Sequence, residues 1–253
     1  MITIVSWNIQ MGCGVDGKTD LKRIANTIER LVSDADIICL QEVSWITQGK
    51  NETNQFNLIH ELFPKYKSIE GYGIDRASKE GSFRFGNMVL SRLPVLNIFR
   101  HQLPWPAARN VKHMPRQAIE ITVDTAFGAL RVINTHLEFY SQTHRKTQIK
   151  RLRDLHTEVI SQIRQPGNFL ETGPYAQLSR PFTSVLCGDF NMKFKSKEYQ
   201  EMLAPFKGAS SSFVDAWPAL YPCQSHNPTC GVFDQKQWPE GPHCRDFYFV
   251  TED

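Results

Sequence analysis

The chain has 253 residues, of which 41% are hydrophobic, and a formal net charge of +3 at pH 7. This length and composition suit one α/β domain with a sizeable core. So mild a charge argues against a protein that coats nucleic acid but permits an anionic substrate. No apolar run approaches the ~20 residues of a membrane span, and the N-terminus has no secretion signal, so we expect a cytoplasmic protein without a membrane span.

The N-terminal part of the chain predicts a strand, a helix and a second strand. Residues 2–8 alternate and are rich in β-branched side chains, which predicts a strand that ends at Asn8. Asp20 is a helix N-cap, and apolar residues follow it at the 3.6-residue period. Residues 37–40 are a continuous apolar strand that runs into Glu42. Each strand therefore finishes close to a lone polar side chain.

The next segment predicts a helix and a strand between two loops. A helix over 55–63 is stopped by Pro64. Residues 71–86 mix glycine with charged side chains, which predicts a surface loop, and 87–91 predict a strand. The loop over 101–115 has two interpretations: a rigid proline-rich connector, or a cleft rim with cations for phosphate and a ring for stacking. Its side chains for the second role are Trp105, Arg109 and Lys112.

The second half repeats the pattern of the first. Residues 116–123 and 130–134 predict a hairpin that finishes in Asn134 and His136. Ser141 caps a helix that extends to about residue 163, and the strand 184–187 then leads to Asp189. Residues 193–212 are expected to be irregular, and the last strand lies at 245–250. The two halves place polar residues at neighbouring strand ends, namely Asn8, Glu42, His136, Asp189 and Asn191.

The Gly-Asp-Phe-Asn sequence at 188–191 also has two interpretations. Side chains alternate along an extended chain, so Asp189 and Asn191 would leave one face and hold a water, a metal or a phosphate oxygen. The same residues are typical of a strand that runs into an Asx turn.

The six cysteines do not predict a disulfide framework. Cys39 and Cys187 lie inside apolar strands, where cysteine behaves as a small hydrophobic residue. The Cys and His residues at 223–244 match no compact zinc spacing, so we favour free thiols.

Several short motifs occur in one order along the chain. They are Trp7-Asn8, Leu40-Gln41-Glu42, the segment 86–92, Asn134-Thr135-His136-Leu137, Gly188-Asp189-Phe190-Asn191 and Asp246-Phe247. In this order the chain resembles the endonuclease/exonuclease/phosphatase superfamily, the family of pancreatic-type deoxyribonuclease, over nearly its whole length. Each motif is weak alone, and their shared order makes the resemblance specific.

The resemblance implies a fold and a reaction. The fold would be an α/β four-layer α/β/β/α sandwich with two packed mixed β-sheets, formed by a single domain over 1–253. The reaction would be hydrolysis of a phosphate ester, nucleic acid among the candidate substrates, with Mg²⁺ or Mn²⁺ as cofactor. Hard cations prefer carboxylate oxygen and keep positions open for water and phosphate.

The resemblance also implies roles for single residues. Glu42 would hold the metal with Asn8 beside it, Asp189 would orient or deprotonate the attacking water, and His136 and Asn191 would contact the phosphoryl oxygens. Asp246 would orient a histidine on a later strand. Asn134 would contribute to substrate binding. The cleft-rim interpretation of the 101–115 loop, which comes from its residues and not from the resemblance, gives the same role to Arg109 and Lys112. Three further side chains either shape the pocket or belong to the core and helix surface: Tyr140, Arg145 and Trp217.

One family feature is absent from the printed sequence. The family closes with Ser-Asp-His on one more strand, and these residues do not follow Asp246 here. We expect that the sequence lacks this C-terminal segment. The leading hypothesis is a phosphodiesterase or nuclease. The alternatives are a phosphomonoesterase of the inositol-phosphatase type, whose Trp-Cys-Asp-Arg stretch is missing, and a non-catalytic binding module. The substrate itself is beyond the sequence.

Overall fold

The computed structural model describes residues 1–206 and 212–252. Within them the strands form two sheets. The first sheet has the order β1-β2-β5-β4, with β3 beside β2, and its strands are β1 (Ile4–Asn8), β2 (Ile37–Gln48), β3 (Asn51–Asn54), β4 (Lys67–Ser78) and β5 (Gly81–Ser91). The second has the order β10-β11-β9-β8-β7-β6, and its strands are β6 (Val95–Gln102), β7 (Gln117–Val123), β8 (Leu130–His136), β9 (Ser184–Asp189), β10 (Phe213–Asp215) and β11 (Asp246–Thr251).

The helices of the described residues begin at side-chain caps. They are α1 (Leu21–Leu31), α2 (Gln55–Leu62), α3 (Gln142–Arg164), α4 (Lys197–Leu203) and α5 (Ala216–Leu220). The predicted caps are present: the Asp20 carboxylate accepts a hydrogen bond from the Arg23 amide, and the Ser141 hydroxyl accepts one from the His144 amide. No helix within 1–206 or 212–252 is both long enough and apolar enough to cross a membrane.

Three apolar clusters separate four layers of structure. Strand β2 is buried on both faces, so its alternate side chains enter different clusters. Ile37 and Cys39 pack between the sheets, whereas Ile38 and Leu40 pack under α1 and α2. The second sheet packs its other face against α3 and α4. Each sheet contains parallel and antiparallel pairs. The predicted four-layer sandwich of two mixed sheets is confirmed.

The predicted surface loop at 71–86 is wrong, because these residues belong to the β4–β5 hairpin. The glycines that suggested a loop allow two backbones to approach closely. A Cβ atom on Gly86 would lie 1.9 Å from the carbonyl oxygen of Gly71 on the neighbouring strand. The outer end of the hairpin is exposed, so its charged residues give no alternating apolar pattern.

The stretch expected to be irregular at 193–212 contains α4, and its residues 207–211 lie outside the described part. Helix α4 begins at Ser196, whose hydroxyl accepts a hydrogen bond from the Tyr199 amide. Tyr199 and Met202 then enter the core beside α3. At seven residues the helix is too short for a clear 3.6-residue pattern, which explains why the sequence did not predict it.

The side chain of Asn134 joins the two sheets through the core. It is 0% exposed, and its amide nitrogen donates to the carbonyl oxygens of Leu40 and Met88, both at 3.0 Å. Its amide oxygen accepts from Gln41 Nε2 at 2.8 Å. Asn134 lies on β8 of the second sheet, and its three partners lie on β2 and β5 of the first. Its hydrogen-bonding groups are therefore engaged within the core.

We expect Asn134→Leu to destabilise the fold by about 3 kcal/mol or more, because each buried donor or acceptor left unpaired costs ~1–3 kcal/mol. The measurement is the free energy of unfolding in urea. Asn57→Leu is the matched control, since Asn57 lies on the exposed side of α2. Equal unfolding free energies for the two variants would contradict a clamping role for Asn134.

Candidate active site

Strand ends from both sheets meet in one cleft. Asn8 ends β1 beside Gln41 of β2, and His136 ends β8 beside Asp189 of β9. The Asn8 amide nitrogen donates to Glu42 Oε1 at 2.9 Å and to Asp189 Oδ2 at 3.0 Å. Asn8 therefore links a carboxylate of the first sheet to a carboxylate of the second.

Glu42 reaches the cleft because β2 is irregular at that residue. The pairing register of β2 with β5 shifts between Gln41 and Val43, as at a β-bulge. Glu42 itself has a φ of 58°, in the left-handed region that few non-glycine residues adopt. The bulge takes Glu42 out of the ladder while Gln41 stays buried between the sheets.

Both interpretations of the Gly-Asp-Phe-Asn sequence hold in part. Strand β9 ends at Asp189, and the Asn191 amide donates to Asp189 Oδ1 at 2.9 Å, which is an Asx turn. Asn191 nevertheless lies in the cleft with Asp189. Gly188 permits the close strand approach, since a Cβ atom there would lie 1.9 Å from the carbonyl oxygen of Thr135.

Asn191 fixes the ring of His136. Its amide nitrogen lies 2.9 Å from His136 Nε2 and donates to the carbonyl oxygen of Leu137 at 3.0 Å. Because this nitrogen is a donor, Nε2 accepts, and the proton of the neutral ring is on Nδ1. Nδ1 is buried without a partner among the described residues, 4.0 Å from Glu42 Oε1. The Nδ1–H of His136 is thus a free donor, whereas the side-chain amide hydrogens of Asn191 are already donated to His136 and Leu137.

Burial controls the protonation of these groups. It raises the pKa values of Glu42 and Asp189, and it lowers the pKa of His136 well below its usual range. The Asp189 carboxylate further raises the pKa of Glu42, and the Arg116 guanidinium further lowers that of His136. His136 is therefore neutral at pH 7.

Asp246 lies on the far side of Asp189. The two residues are directly paired across β11 and β9, and Asp246 lines the cleft. Burial and the neighbouring Asp189 raise the pKa of Asp246 well above its usual range. No histidine contact to this carboxyl is present among the described residues, so its predicted orienting role stays a prediction.

Arg116 is the main cleft residue that sequence reasoning missed. It was predicted only as the start of a strand, yet it is 5% exposed and lines the cleft. Its Nε lies 3.5 Å from Glu138 Oε2 and has no hydrogen-bond partner among the described residues. Its charge acts on Glu42, Asp189 and His136. A buried guanidinium with free donors is suited to a phosphate oxygen.

The three residues predicted to bind substrate do not join this cluster. Asn134 is a correction: it is buried in the core with its amide fully engaged, so it is not available to a substrate. Arg109 and Lys112 are exposed and lie outside the cleft lining. The Lys112 ammonium lies 5.9 Å from the ring centre of Tyr140, which does line the cleft. The roles of Arg109 and Lys112 therefore stay predictions.

The cleft has a volume of about 360 Å³ and two unlike walls. The polar wall carries the residues described above. The aromatic wall includes Phe139, Tyr140 and Trp238, and the Arg245 guanidinium lies over the rings of Phe139 and Trp238. Arg145 and Trp217, considered as pocket residues, are not in the lining. No sequence pattern indicated Trp238, which lies in the irregular segment before β11.

The residues present suit Mg²⁺ better than zinc. The described residues contain no group of three or more His, Cys, Asp and Glu side chains arranged to hold a metal ion. Mg²⁺ keeps several waters and needs only one or two protein carboxylates. Glu42 supplies such an oxygen, and a bound cation would offset the burial and the neighbouring negative charge that raise its pKa.

Comparisons with known proteins identify the family of the chain. Residues 5–251 match the model of the Endonuclease/Exonuclease/phosphatase family. A protein of that description from Beutenbergia cavernae has 20% identity and a TM-score of 0.63, over 98% of this chain and 64% of its own. The chain thus spans less than two thirds of that relative's length. A mannosyl-6-phosphatase from Bacteroides thetaiotaomicron has 18% identity and a TM-score of 0.63, over 100% of this chain and 86% of its own.

The human Nocturnin catalytic domain, described with a bound sulfate anion, has 18% identity and a TM-score of 0.62, over 99% of this chain and 82% of its own. At these identities the structural likeness shows the fold alone. The comparison with curated protein sequences gives no match. The family assignment depends on the match to the family model, which covers nearly the whole chain. The chain belongs to the endonuclease/exonuclease/phosphatase family of phosphate-ester hydrolases.

Proposed function

We propose that the chain is a Mg²⁺-dependent phosphodiesterase. The observation that carries this proposal is the meeting of Asp189, His136 and Arg116 beside Glu42 in one cleft. A water-activating carboxylate, a neutral donor and a buried guanidinium are the groups that a hydrolytic attack on phosphorus needs.

Before a metal ion is bound, the charges of the cleft side chains favour a diester over a monoester. The carboxylates of Glu42 and Asp189 carry two negative charges when ionised, and the guanidinium of Arg116 carries one positive charge. The second guanidinium, that of Arg245, is partly occupied by Glu240 and by the ring of Trp238. A diester carries one negative charge at neutral pH and a monoester carries up to two. The diester is therefore repelled less by the two carboxylates.

Each side chain has a separate task in the proposed reaction. Asp189 accepts the proton of the attacking water, and its raised pKa makes it a better base than a solvated aspartate. His136 Nδ1–H donates to a phosphoryl oxygen, and Arg116 offsets the charge that develops there. Glu42 and Asn8 would hold Mg²⁺, which when bound supplies Lewis-acid polarisation of the phosphate.

The test is hydrolysis of bis(p-nitrophenyl) phosphate and p-nitrophenyl phosphate by the purified chain, with Mg²⁺ or with EDTA. We expect a higher kcat/KM for the diester and loss of both activities in EDTA, with recovery when Mg²⁺ is added back.

A higher kcat/KM for the monoester would favour the phosphomonoesterase alternative. Full activity in EDTA would overturn the metal dependence. A folded chain that hydrolyses neither ester would favour the non-catalytic binding module.

A further inference from the structure

The aromatic wall of the cleft is a connected row of rings. Tyr140 and Phe139 pack edge to face with their centres 4.8 Å apart, and Phe139 packs in the same way on Trp238 at 5.6 Å. The Arg245 guanidinium lies over Trp238, with 4.5 Å between its carbon and the ring centre. Phe139 and Trp238 are therefore packed against each other and against Arg245, and Tyr140 lies at the exposed end of the row.

Tyr140 is both exposed and fixed in place. Its side chain is 60% exposed at the mouth of the cleft. Its backbone amide donates to Glu138 Oε1 at 2.9 Å, and the other oxygen of that buried carboxylate accepts from the Met114 amide and lies beside Arg116. One carboxylate thus sets the positions of Tyr140 and of the guanidinium proposed to bind phosphate. An exposed tyrosine ring on a fixed backbone beside a phosphate site offers a flat surface, and ordering its two χ angles costs little conformational entropy.

We infer that the substrate is a nucleotide phosphodiester with an unpaired base next to the scissile bond, and that this base stacks on Tyr140. The inference rests on the proposed function, because it takes the phosphate to lie at Arg116. Bases stack on aromatic side chains without sequence preference, since every base has a π face. The Lys112 ammonium lies over the ring of Tyr140, 5.9 Å from its centre, and supplies a positive charge near the proposed stacking position for a neighbouring phosphate.

The base has to be unpaired because its own face is needed for the contact. In a duplex each face of a base is covered by its neighbours, and exposing one costs unstacking energy. The cleft volume of about 360 Å³ is in the size range of a small-ligand pocket. A single strand or a dinucleotide therefore suits the cleft better than a duplex.

Two diesters of equal charge provide the binding test: thymidine 5′-methylphosphate and 1,2-dideoxyribose 5-methylphosphate, in which a hydrogen atom replaces the base. We expect the thymidine compound to bind about 10-fold more tightly, the scale of one base–aromatic stack, by calorimetry in Mg²⁺ with Asp189→Asn present throughout to slow hydrolysis. Tyr140→Leu should remove most of that difference, whereas Tyr140→Phe, which keeps the ring, should retain it.

The same variants are then compared on a thymidylate oligomer, alone and paired with its complement. Faster cleavage, or tighter binding by anisotropy, of the single strand would support the inference. Equal affinity for the two small diesters would overturn the stacking and leave the proposed function intact. Equal cleavage rates and equal affinities for the single strand and the duplex would overturn the requirement for an unpaired base. Failure of both small diesters to bind would overturn the inference together with the proposed function.

Discussion

Asp189→Asn is expected to lower the turnover of a phosphodiester by about 10²–10⁴-fold, the range that a positioned general base contributes. Asp189 is 8% exposed and accepts hydrogen bonds from Asn8 and Asn191, so it is held in one orientation. The substitution keeps the size of the side chain and removes its basicity. The measurement is kcat for bis(p-nitrophenyl) phosphate at saturating Mg²⁺.

Asp215→Asn is the matched control for this variant. Asp215 is another buried aspartate that accepts hydrogen bonds, in its case from Tyr199 and Trp217, and it lies outside the cleft lining. We expect the control to lose stability and keep its turnover. Full turnover in Asp189→Asn would remove the base from the proposed mechanism. Equal losses in the two variants would indicate a general effect of buried carboxylates.

Glu42→Gln should weaken Mg²⁺ binding and lower turnover, each by about 100-fold or more, because even partners outside the ligand shell contribute 10–100-fold to metal affinity. The glutamine side chain has the same length and can still form hydrogen bonds, but it lacks the negative charge that a hard cation needs. The Mg²⁺ concentration for half-maximal activity gives one measure, and direct Mn²⁺ titration by electron paramagnetic resonance gives a second that does not need turnover.

The control for Glu42 is Glu198→Gln, a buried glutamate on α4 that pairs with Arg145 outside the cleft lining. It should bind the metal as the unchanged chain does. Unaltered Mn²⁺ affinity in Glu42→Gln would remove Glu42 from the metal site, whatever happened to the rate.

The polar cluster was predictable because its members lie at strand ends. Asn8, His136 and Asp189 each follow an apolar run, and parallel strands bring such ends to one edge. Arg116 was not predictable in this way. Its burial depends on Glu138, which lies 22 positions later and carries no local signal of the contact. The bulge that turns Glu42 outward likewise depends on pairing between β2 and β5.

Elements at the sheet edges were harder to predict than those in the core. The outer end of β4 has no apolar alternation because its residues are exposed. Its strand character comes from hydrogen bonds to the partner strand, which a composition-based interpretation does not include. The substrate roles expected for Asn134, Arg109 and Lys112 depended on side-chain directions, and these are set by tertiary packing.

The division of the cluster between the sheets has a mechanical consequence. Asn8 and Glu42 belong to the first sheet, and His136 and Asp189 belong to the second. The volume of the apolar side chains between the two sheets therefore sets the distance between these two pairs of residues. A core residue between the sheets, such as Ile119 or Cys187, touches no reactant, yet a change in its side-chain volume shifts one sheet relative to the other. Displacements of about 1 Å suffice to cost catalytic rate. A substitution at such a residue would therefore lower the catalytic rate before it lowered the stability of the fold enough to matter, and natural selection would act on the rate first.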